Sequence, residues 1–379
     1  MAFTLSILPE LSSVTLLELS ATATSSTLNM NVDISALINL EIFKSPGNIG
    51  ISSLTNDLSN NINLKTINIG NCNIGGIIPD YSNVTTLSTI LFNTNSYVGL
   101  IPSLSSNTAL VTFFAQENSL TGSIPDLSSN TALVDFRVHQ NSLTGSIPSL
   151  SLNPDLSIFK VDNNSLSGSI PDLSSNTALR DFIASQNSLT GSIPDLSSNT
   201  ALTNFVVTGN DLTGSIPDLS SNTALRNFYA QENSLTGSIP SLSLNTALLH
   251  FASSDNGLTG SIPSLSSNTA LRDFVVNDND LTGSIPDLSS NTALAKFEVD
   301  DNSLDAFTGS VTSTLLRFKA INNNLSATVV NAILAAFVAA GSSNGFLNVG
   351  GTGNAAPTGQ GITDKNTLTS RGWSVIVAP

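Results

Sequence analysis

The sequence predicts a solenoid that is mostly β, and the main reason is a unit that recurs every 23 residues. One copy, at 179–199, reads LRDFIASQNSLTGSIPDLSSN, and its LTGSIP segment returns at the same spacing on both sides. Each copy also places Leu, Phe, Asn and Leu at fixed offsets. The DLSSNTA segment that follows is too short and too rich in Ser, Asn and Thr for an α-helix. Together these observations predict stacked rungs whose strands form one parallel sheet.

The offsets, counted from the first Leu of a copy as position 1, predict the core of each rung. Position 4 holds an aromatic ring that we expect to stack on the ring of the next rung. Position 6 holds a small or branched residue, which keeps the side-chain volume of each rung nearly constant. Position 9 is Asn, and a buried Asn on every rung implies a ladder of amides bonded to the backbone. The rings are Phe113, Phe136, Phe159, Phe182, Phe205, Phe228, Phe251, Phe274, Phe297 and Phe318. The asparagines are Asn95, Asn118, Asn141, Asn164, Asn187, Asn210, Asn233, Asn256, Asn279, Asn302 and Asn323.

The side of the rung opposite the Phe-bearing strand is predicted to be extended or 3₁₀-like. In its GSIP segment Gly permits a turn and Pro lacks a backbone donor. An Asp follows this Pro in several copies, and we expect its carboxylate to cap nearby backbone donors. Cys72 stands where other copies carry the ladder Asn, so a buried thiol is predicted there. These aspartates are Asp80, Asp126, Asp172, Asp195, Asp218 and Asp287.

This pattern of Leu, Phe, Asn and Leu in a unit of 23 residues resembles leucine-rich repeats. The LTGSIP wording is similar to the plant-type repeat of receptor kinases and polygalacturonase inhibitors. The resemblance implies an α/β-type, mostly β, right-handed leucine-rich repeat superhelix with a parallel β-sheet on its concave face and a 3₁₀ or extended convex side. The unit is shorter than the plant class favours, and the paired-cysteine caps of the plant ectodomains are absent, since the chain has a single Cys.

Three parts are expected along the chain: an N-terminal β cap at 1–35, the solenoid at 36–325 and a C-terminal cap at 326–379. The first part alternates apolar and polar residues at 3–8, 14–19 and 28–34, which is a strand pattern. In the last part we predict a helix from the N-cap Ser326 to the stop at Gly341, a rung at 346–354, a second helix ending near Gly372, and a final strand. This last block resembles the C-terminal caps of leucine-rich repeat proteins in bacteria and their phages.

Composition excludes several partners. The formal net charge is −15 and only 12 residues are Lys or Arg, too few for a nucleic-acid surface. The N-terminus has no basic stretch typical of a secretory signal, and the apolar run at 329–340 is too short to span a bilayer. We therefore expect neither nucleic acid nor membrane insertion, and a location on a virion or another extracellular or cell surface. No cofactor is implied.

Recognition is predicted on the concave face, because positions 2, 3, 5, 7 and 8 differ freely between copies while the core positions hardly change. In a strand these positions point away from the core. Large aromatic and cationic side chains gathered on one face favour ligand contact. The candidate ligand-binding residues are Phe114, Arg137, His139, Lys160, Arg180, Arg226, Tyr229, Glu232, His250 and Arg272.

An acidic strip at position 8 is a second candidate, formed by Glu232, Asp255, Asp278 and Asp301 on successive rungs. Carboxylates one rung apart repel unless they are paired or bridged, so the strip could attract Ca²⁺ or a cationic partner. A solvated edge with local ion pairs explains the same pattern. We assign no metal to it.

Catalysis is not expected. His139 and His250 lie five rungs apart, which is too far for a shared metal ion or proton relay. The GSSNG match at 341–345 has a predicted helix before it, whereas a nucleophile elbow needs a strand before and a helix after. The pattern therefore indicates a helix stop and a loop, in a protein that is not an enzyme.

The function predicted from the sequence is a surface-exposed binding protein. Its first form is a phage virion appendage or decoration protein that engages a protein or glycan on a host cell through the concave face. A bacterial cell-surface adhesin is an alternative, and so is a purely structural virion component that binds neighbouring virion proteins. By analogy with the plant family, an inhibitor of a secreted hydrolase is a further reading.

Overall fold

The computed structural model describes residues 2–6, 13–19, 29–47, 51–54, 58, 60–307 and 309–379. The chain forms two compact units, Met1–Leu189 and Thr190–Pro379. Both units are built from parallel rungs, and each is described by itself. The predicted strand segments at 3–8, 14–19 and 28–34 lie partly outside the described residues.

The first unit contains a parallel sheet of short strands, called here the first sheet of that unit. Each strand pairs with the next at a distance of one repeat, so Phe113 lies opposite Phe136 and Phe136 opposite Phe159. The middle residue of each three-residue strand from Ile42–Lys44 onward is buried, and its two neighbours face outward. The strands are Leu16–Glu18, Ile42–Lys44, Thr66–Asn68, Thr89–Leu91, Thr112–Phe114, Asp135–Arg137, Ile158–Lys160 and Asp181–Ile183.

The opposite side of the first unit also forms parallel sheets, which is more order than the sequence predicted. Of the two predicted conformations, extended and 3₁₀, the extended one is found. Strands of successive rungs pair with each other, with Thr144 opposite Ser165. These strands are Gly75–Ile77, Ser96–Leu100, Ser119–Gly122, Ser142–Ser146 and Ser165–Ser169. A separate three-stranded sheet is formed by Ala2–Ser6, Asn29–Asp33 and Ile51–Leu54.

The second unit repeats this arrangement. The division between the two units falls within the strand Ser188–Ser192. Thr190, the first residue of the second unit, pairs with Asp211 of the same unit. The first sheet of this unit consists of Asn204–Val206, Asn227–Tyr229, His250–Ala252, Asp273–Val275, Lys296–Glu298, Arg317–Lys319, Phe346–Val349 and Ser374–Val377. The strands on the opposite side are Asp211–Ser215, Ser234–Ser238, Gly257–Gly260, Asp280–Ile285 and Ser303–Phe307.

The C-terminal segment follows the sequence prediction closely. Helix α1, Ala327–Ala340, begins after Ser326, whose side chain accepts a hydrogen bond from the backbone N–H of Val329, and ends at Gly341 in the left-handed conformation. Helix α2, Gln360–Ser370, lies between the strands Phe346–Val349 and Ser374–Val377. The predicted rung, second helix and final strand are thus confirmed.

The predicted ring spine is present in both units. Phe136 stacks on Phe113 and Phe159 with centroid distances of 5.3 and 5.6 Å. In the second unit the rings from Phe205 to Phe318 stack at 5.3 to 5.8 Å. Phe318 then meets Phe337 of α1 edge-on at 5.3 Å, so the C-terminal helix closes the same column of rings.

The predicted asparagine ladder is confirmed. Asn141 donates from Nδ2 to the carbonyls of Ala115 and Val138, at 2.9 and 3.1 Å. Its Oδ1 accepts from the backbone N–H of Leu120 at 2.9 Å. Each ladder residue therefore joins two rungs as well as closing its own turn. Cys72 is buried in the same position, and its Sγ donates to the carbonyl of Ser45 at 2.7 Å.

A second asparagine ladder was missed by the sequence analysis. The Asn that ends the SSN or SLN segment is fully buried in every rung from Asn107 to Asn291. Asn130 donates to the carbonyls of Leu104 and Asn107 at 3.0 and 2.9 Å. The aspartates after Pro act as predicted, since Asp126 accepts from the backbone N–H and the hydroxyl of Ser128 at 3.0 and 2.7 Å. These bonds lower the pKa of Asp126.

Position 8 has a backbone property that the sequence analysis did not foresee. It adopts a positive φ on successive rungs, as at Gln140 and Glu232 with φ of 54° each. Gly209 occupies the same position with φ of 67°. Non-glycine residues rarely adopt this conformation, so the turn after each short strand is maintained against a local backbone cost.

Candidate ligand-binding faces

The outward side chains of the first sheet in each unit, with the residues that immediately flank its strands, are called here the display face of that unit. All ten sequence-predicted binding residues lie on or beside a display face. Five are in the first unit and five in the second. The first group is Phe114, Arg137, His139, Lys160 and Arg180, and the second is Arg226, Tyr229, Glu232, His250 and Arg272.

On the display face of the first unit, Phe114, Arg137 and Lys160 form one row, each opposite the next. The guanidinium of Arg137 lies over the Phe114 ring at 4.5 Å from its centroid. Its Nε and Nη2 donate to the two oxygens of Asp135, at 2.8 and 2.7 Å. This bond raises the pKa of Arg137. The cation is therefore held in a single, partly buried arrangement.

The carboxylates of this face pair with cations on their own strand or on the adjacent strand. Asp135 bonds Arg137 two residues along its own strand. Lys160 approaches Asp181 of the adjacent strand at 3.7 Å. Alternate residues of a strand share a face, so the nearest cation along the strand takes the carboxylate. Arg180 is exposed at the edge of the same face.

His139 is partly buried just beyond the end of the strand that carries Arg137. Burial is the main cause that lowers its pKa, and the nearby cations Lys160 and Arg137 act in the same direction, against Asp162 and Glu117. Its Nδ1 is enclosed without a hydrogen-bond partner among the described residues. At neutral pH this side chain is therefore an uncharged imidazole.

On the display face of the second unit, Tyr229 and His250 form an aromatic pair with centroids 6.3 Å apart and planes 24° from parallel. His250 Nδ1 lies 2.6 Å from Asp273 Oδ2, which fixes the orientation of the imidazole. Burial, followed by the charge of Asp273, raises the pKa of Tyr229. Arg226 and Arg272 are exposed beside this pair.

Glu232 and the other members of the acidic strip, Asp255, Asp278 and Asp301, are exposed. Within the described residues, no three His, Cys, Asp or Glu side chains are grouped closely enough to hold a metal ion. Asp278 accepts from Asn277, and Asp301 accepts from Asn322 at 2.7 Å. Local bonds to neighbouring amides thus occupy part of the strip.

A charge network that the sequence analysis did not connect lies further along this face. Glu298 is 8% exposed and accepts from Arg317 Nε at 2.6 Å and Lys296 Nζ at 3.0 Å, with Lys319 at 3.5 Å. Burial alone would raise the pKa of Glu298, but the bonds from these cations bring it below its ordinary value. Lys319 also approaches the buried Asp300 at 3.4 Å. The periodic spacing of Lys296, Glu298, Arg317 and Lys319 on adjacent strands was the available signal.

A shallow groove on the display face of the first unit was also missed. Its volume is about 530 Å³. The lining residues come from four successive rungs and include Phe114 at one end. They are Pro46, Gly47, Asn68, Gly70, Asn71, Leu91, Asn93, Phe114 and Gln116. The signal in the sequence is Gly70, which has no side chain at a position where the following rungs carry Asn93, Gln116 and His139.

The loop at 341–345 has the order that the sequence analysis predicted, because α1 precedes it and a strand follows. This is the reverse of a nucleophile elbow. The two faces carry hydrogen-bonding, aromatic and charged groups over an open surface, an arrangement suited to binding a partner by many weak contacts.

The fold and its display faces define a class, a mostly β solenoid of parallel rungs with a variable strand face. More particularly, the fold is the leucine-rich repeat superhelix, as the 23-residue unit and the structural neighbours show. No protein-family model and no curated protein matches the sequence.

Solved structures with this fold include two plant ectodomains and one bacterial domain. The ectodomain of the receptor kinase GASSHO1/SCHENGEN3 from Arabidopsis thaliana, in complex with CASPARIAN STRIP INTEGRITY FACTOR 2, has a TM-score of 0.75 at 23% identity, over 99% of this chain and 48% of that one. The Arabidopsis receptor kinase HAESA, in complex with the peptide hormone IDA and the co-receptor SERK1, has a TM-score of 0.70 at 27% identity, over 89% and 64%. The functional domain of InlJ from Listeria monocytogenes has a TM-score of 0.61 at 20% identity, over 86% and 72%.

The chain spans about half to two thirds of the length of the two plant ectodomains. Among the described residues, no helix combines the length and the apolar character needed to cross a membrane.

Proposed function

We propose that this protein is a non-enzymatic, extracellular binding protein that engages a protein ligand through its display faces. The single observation that carries the proposal is the ordered Phe114, Arg137 and Asp135 cluster, in which an aromatic ring and a bidentate cation are fixed before any ligand arrives. Fixing such side chains in advance lowers the entropy lost on binding. Aromatic and Arg side chains are also the residues that most often dominate protein interfaces.

The structural neighbours support the same proposal. The GASSHO1/SCHENGEN3 structure is a receptor kinase ectodomain in complex with CASPARIAN STRIP INTEGRITY FACTOR 2. The HAESA structure is a receptor kinase in complex with a peptide hormone and a co-receptor. We extend from them only the kind of ligand, a peptide or protein, and an extracellular setting.

The finer form of the proposal is a phage virion appendage or decoration protein that binds a component of the host cell surface, either protein or glycan. A bacterial adhesin that uses the same faces is the alternative. The resemblance of the C-terminal block to caps in bacterial and phage proteins supports both. A structural virion component would instead contact neighbouring virion proteins. Immunogold labelling separates a virion protein from an adhesin, because the antibody would label phage particles in the first case and bacterial cells in the second.

The main test is binding of the fluorescently labelled protein to a panel of bacterial cells, measured by flow cytometry before and after protease treatment of the cells. A variant with Arg137→Ala, Lys160→Ala, Arg180→Ala and Tyr229→Ala should lose binding, because both display faces lose their anchors. The matched control carries Thr144→Ala, Thr213→Ala, Thr236→Ala and Thr259→Ala, four exposed changes on the opposite side of the rungs.

Loss of binding in the first variant alone, and loss after protease treatment, would support a protein ligand on the display faces. Equal binding by both variants would overturn the proposed site. Both variants must keep the unfolding midpoint of the native protein, measured by circular dichroism, for the comparison to report on binding.

A further inference from the structure

The groove on the display face of the first unit differs in chemistry from the charged cluster beside it. No Lys, Arg, Asp or Glu lines the groove, although the chain as a whole has a net charge of −15. Lys44 and Arg137 stand at either end of the row that runs through it, in register with Asn68, Leu91 and Phe114. The lining itself therefore offers a ligand no charged partner.

The polar rim of the groove consists of side-chain amides that the rest of the protein leaves largely unbonded. Gln116 makes no side-chain hydrogen bond with the described residues, and its Oε1 is enclosed. Asn68 only accepts, at 3.4 Å from the N–H of Gly70, and Asn93 only donates, at 3.4 Å to Thr94. Each amide offers adjacent donors and an acceptor. The rim is thus suited to a ligand whose polar groups also both donate and accept.

The floor of the groove is apolar. Leu91 and Phe114 are both partly exposed, and they stand opposite each other on adjacent strands. One face of the Phe114 ring is covered by Arg137, which fixes the ring in place. An exposed aliphatic and aromatic pair of this kind favours contact with C–H groups. The volume of about 530 Å³ lies within the range of small-ligand sites.

Combining these features, we infer that the groove is a binding site for a neutral carbohydrate. Sugar hydroxyls donate to and accept from the amides of Asn68 and Asn93 and accept from Nε2 of Gln116, whose Oε1 is enclosed. The C–H face of a sugar ring packs on Leu91 and Phe114. The groove is shallow and crosses four rungs, so it accommodates a stretch of an oligosaccharide. This inference relies on the proposed role of the display face in binding, but the groove shares only Phe114 with the charged cluster and takes a different ligand.

Gly70 gives the site a steric test that removes no functional group. A Cβ at this position would lie 2.6 Å from Oδ1 of Asn93, so the Asn93 side chain must move. Gly70 does not have a positive φ, so Ala is compatible with the backbone there. The Gly70→Ala variant therefore alters the groove while the fold is retained.

The experiment uses isothermal titration of the full chain with neutral oligosaccharides of glucose, mannose, galactose and N-acetylglucosamine, with an alginate oligosaccharide as the charged comparison. We expect binding of at least one neutral sugar and none of alginate. Asn68→Ala, Gln116→Ala and Gly70→Ala should each weaken that binding by about tenfold, as the loss of one or two hydrogen bonds implies. Thr144→Ala, on the opposite side of the rungs, should leave it unchanged.

Three results would overturn the inference: binding of none of the neutral sugars, sugar binding that the three groove variants do not alter, or binding of neutral peptides in place of sugars through the same residues. Failure here is distinguishable from failure of the proposed function, because Lys160→Ala and Arg180→Ala test cell binding without changing any residue that lines the groove or covers the Phe114 ring. Unfolding midpoints of every variant exclude a general loss of structure.

Discussion

The guanidinium of Arg137 lies 4.5 Å from the centroid of the Phe114 ring on the neighbouring rung. Because Arg137 also donates two hydrogen bonds to Asp135, the ring, the cation and the carboxylate are ordered as one group. Lys cannot reproduce both the planar stack and the bidentate bond. We therefore expect Arg137→Lys to lower the free energy of unfolding by about 1 kcal/mol, measured by urea denaturation. Arg226→Lys, at an exposed site, should change it by much less, and equal effects of the two would contradict the prediction.

Glu298 holds three cations together, so its loss should be costly. Glu298→Gln removes the charge that Lys296, Arg317 and Lys319 share, and leaves these cations close to one another. Because Lys296 and Arg317 are more than a third exposed, solvent screens part of the effect. We expect a loss of about 2 kcal/mol in urea denaturation. The exposed Glu232→Gln serves as the control, and a loss no larger than in that control would refute the assignment.

The second asparagine ladder predicts a large effect from a residue that looks like part of a loop. Asn130→Ala removes two buried bonds to the carbonyls of Leu104 and Asn107, and each carbonyl then keeps only the backbone bond that it already accepts. The expected loss is about 2 kcal/mol in the free energy of unfolding. Thr131→Ala, its exposed neighbour, should cost less than about 0.5 kcal/mol. Similar thermal unfolding midpoints for the two variants would argue against a structural role for the ladder.

Backbone strain at position 8 predicts stabilisation by Gly. Gln140 has φ of 54°, a conformation that Gly209 occupies at the same position of another rung. Gln140→Gly relieves the steric cost, partly offset by the greater freedom of Gly in the unfolded chain. The unfolding free energy should rise by about 0.5 kcal/mol. The reverse change, Gly209→Ala, should lower it by about 1 kcal/mol. Destabilisation by Gln140→Gly, or stabilisation by Gly209→Ala, would disprove the explanation.

The lowered pKa of His139 predicts a pH dependence of stability with a defined sign. The unfolded imidazole titrates near pH 6.5, and burial holds the pKa of the folded group below that value. The contribution of His139 to the free energy of unfolding is therefore complete above about pH 6.5. It is lost as the pH falls towards the pKa of the folded group. Urea midpoints of the native chain and of His139→Gln, measured between about pH 7.5 and 5, should diverge on acidification, with the native chain losing more. Parallel curves would show that His139 does not contribute.

The features that the sequence predicted are those that repeat with chemical uniformity. Phe136 and Asn141 occupy positions that hardly vary between copies, so the burial of Phe136 and the hydrogen bonds of Asn141 follow from the period alone. The same reasoning located α1, because Ser326 and Gly341 are strong local signals for its two ends.

The features that were missed depend on contacts between rungs. The extended conformation of Ser142–Ser146 was one of the two predicted, but its pairing into a sheet was missed, since Ser and Gly are poor strand formers and the bonds come from the adjacent rung. Asn130 looks like an ordinary loop residue until its neighbours are placed. The groove arises from what Gly70 lacks, together with side chains from three other rungs, and no single copy contains that information.

The column of stacked rings has a consequence for how such a gene changes length. Phe136 touches Phe113 on one side and Phe159 on the other, at nearly equal distances, and the asparagine bonds repeat in the same way. Misaligned recombination between two nearly identical copies removes or duplicates a whole rung, and the column closes again with equivalent neighbours. Descendants of one gene can therefore vary in rung number, and gain or lose exposed residues with each step, while the interior chemistry stays the same.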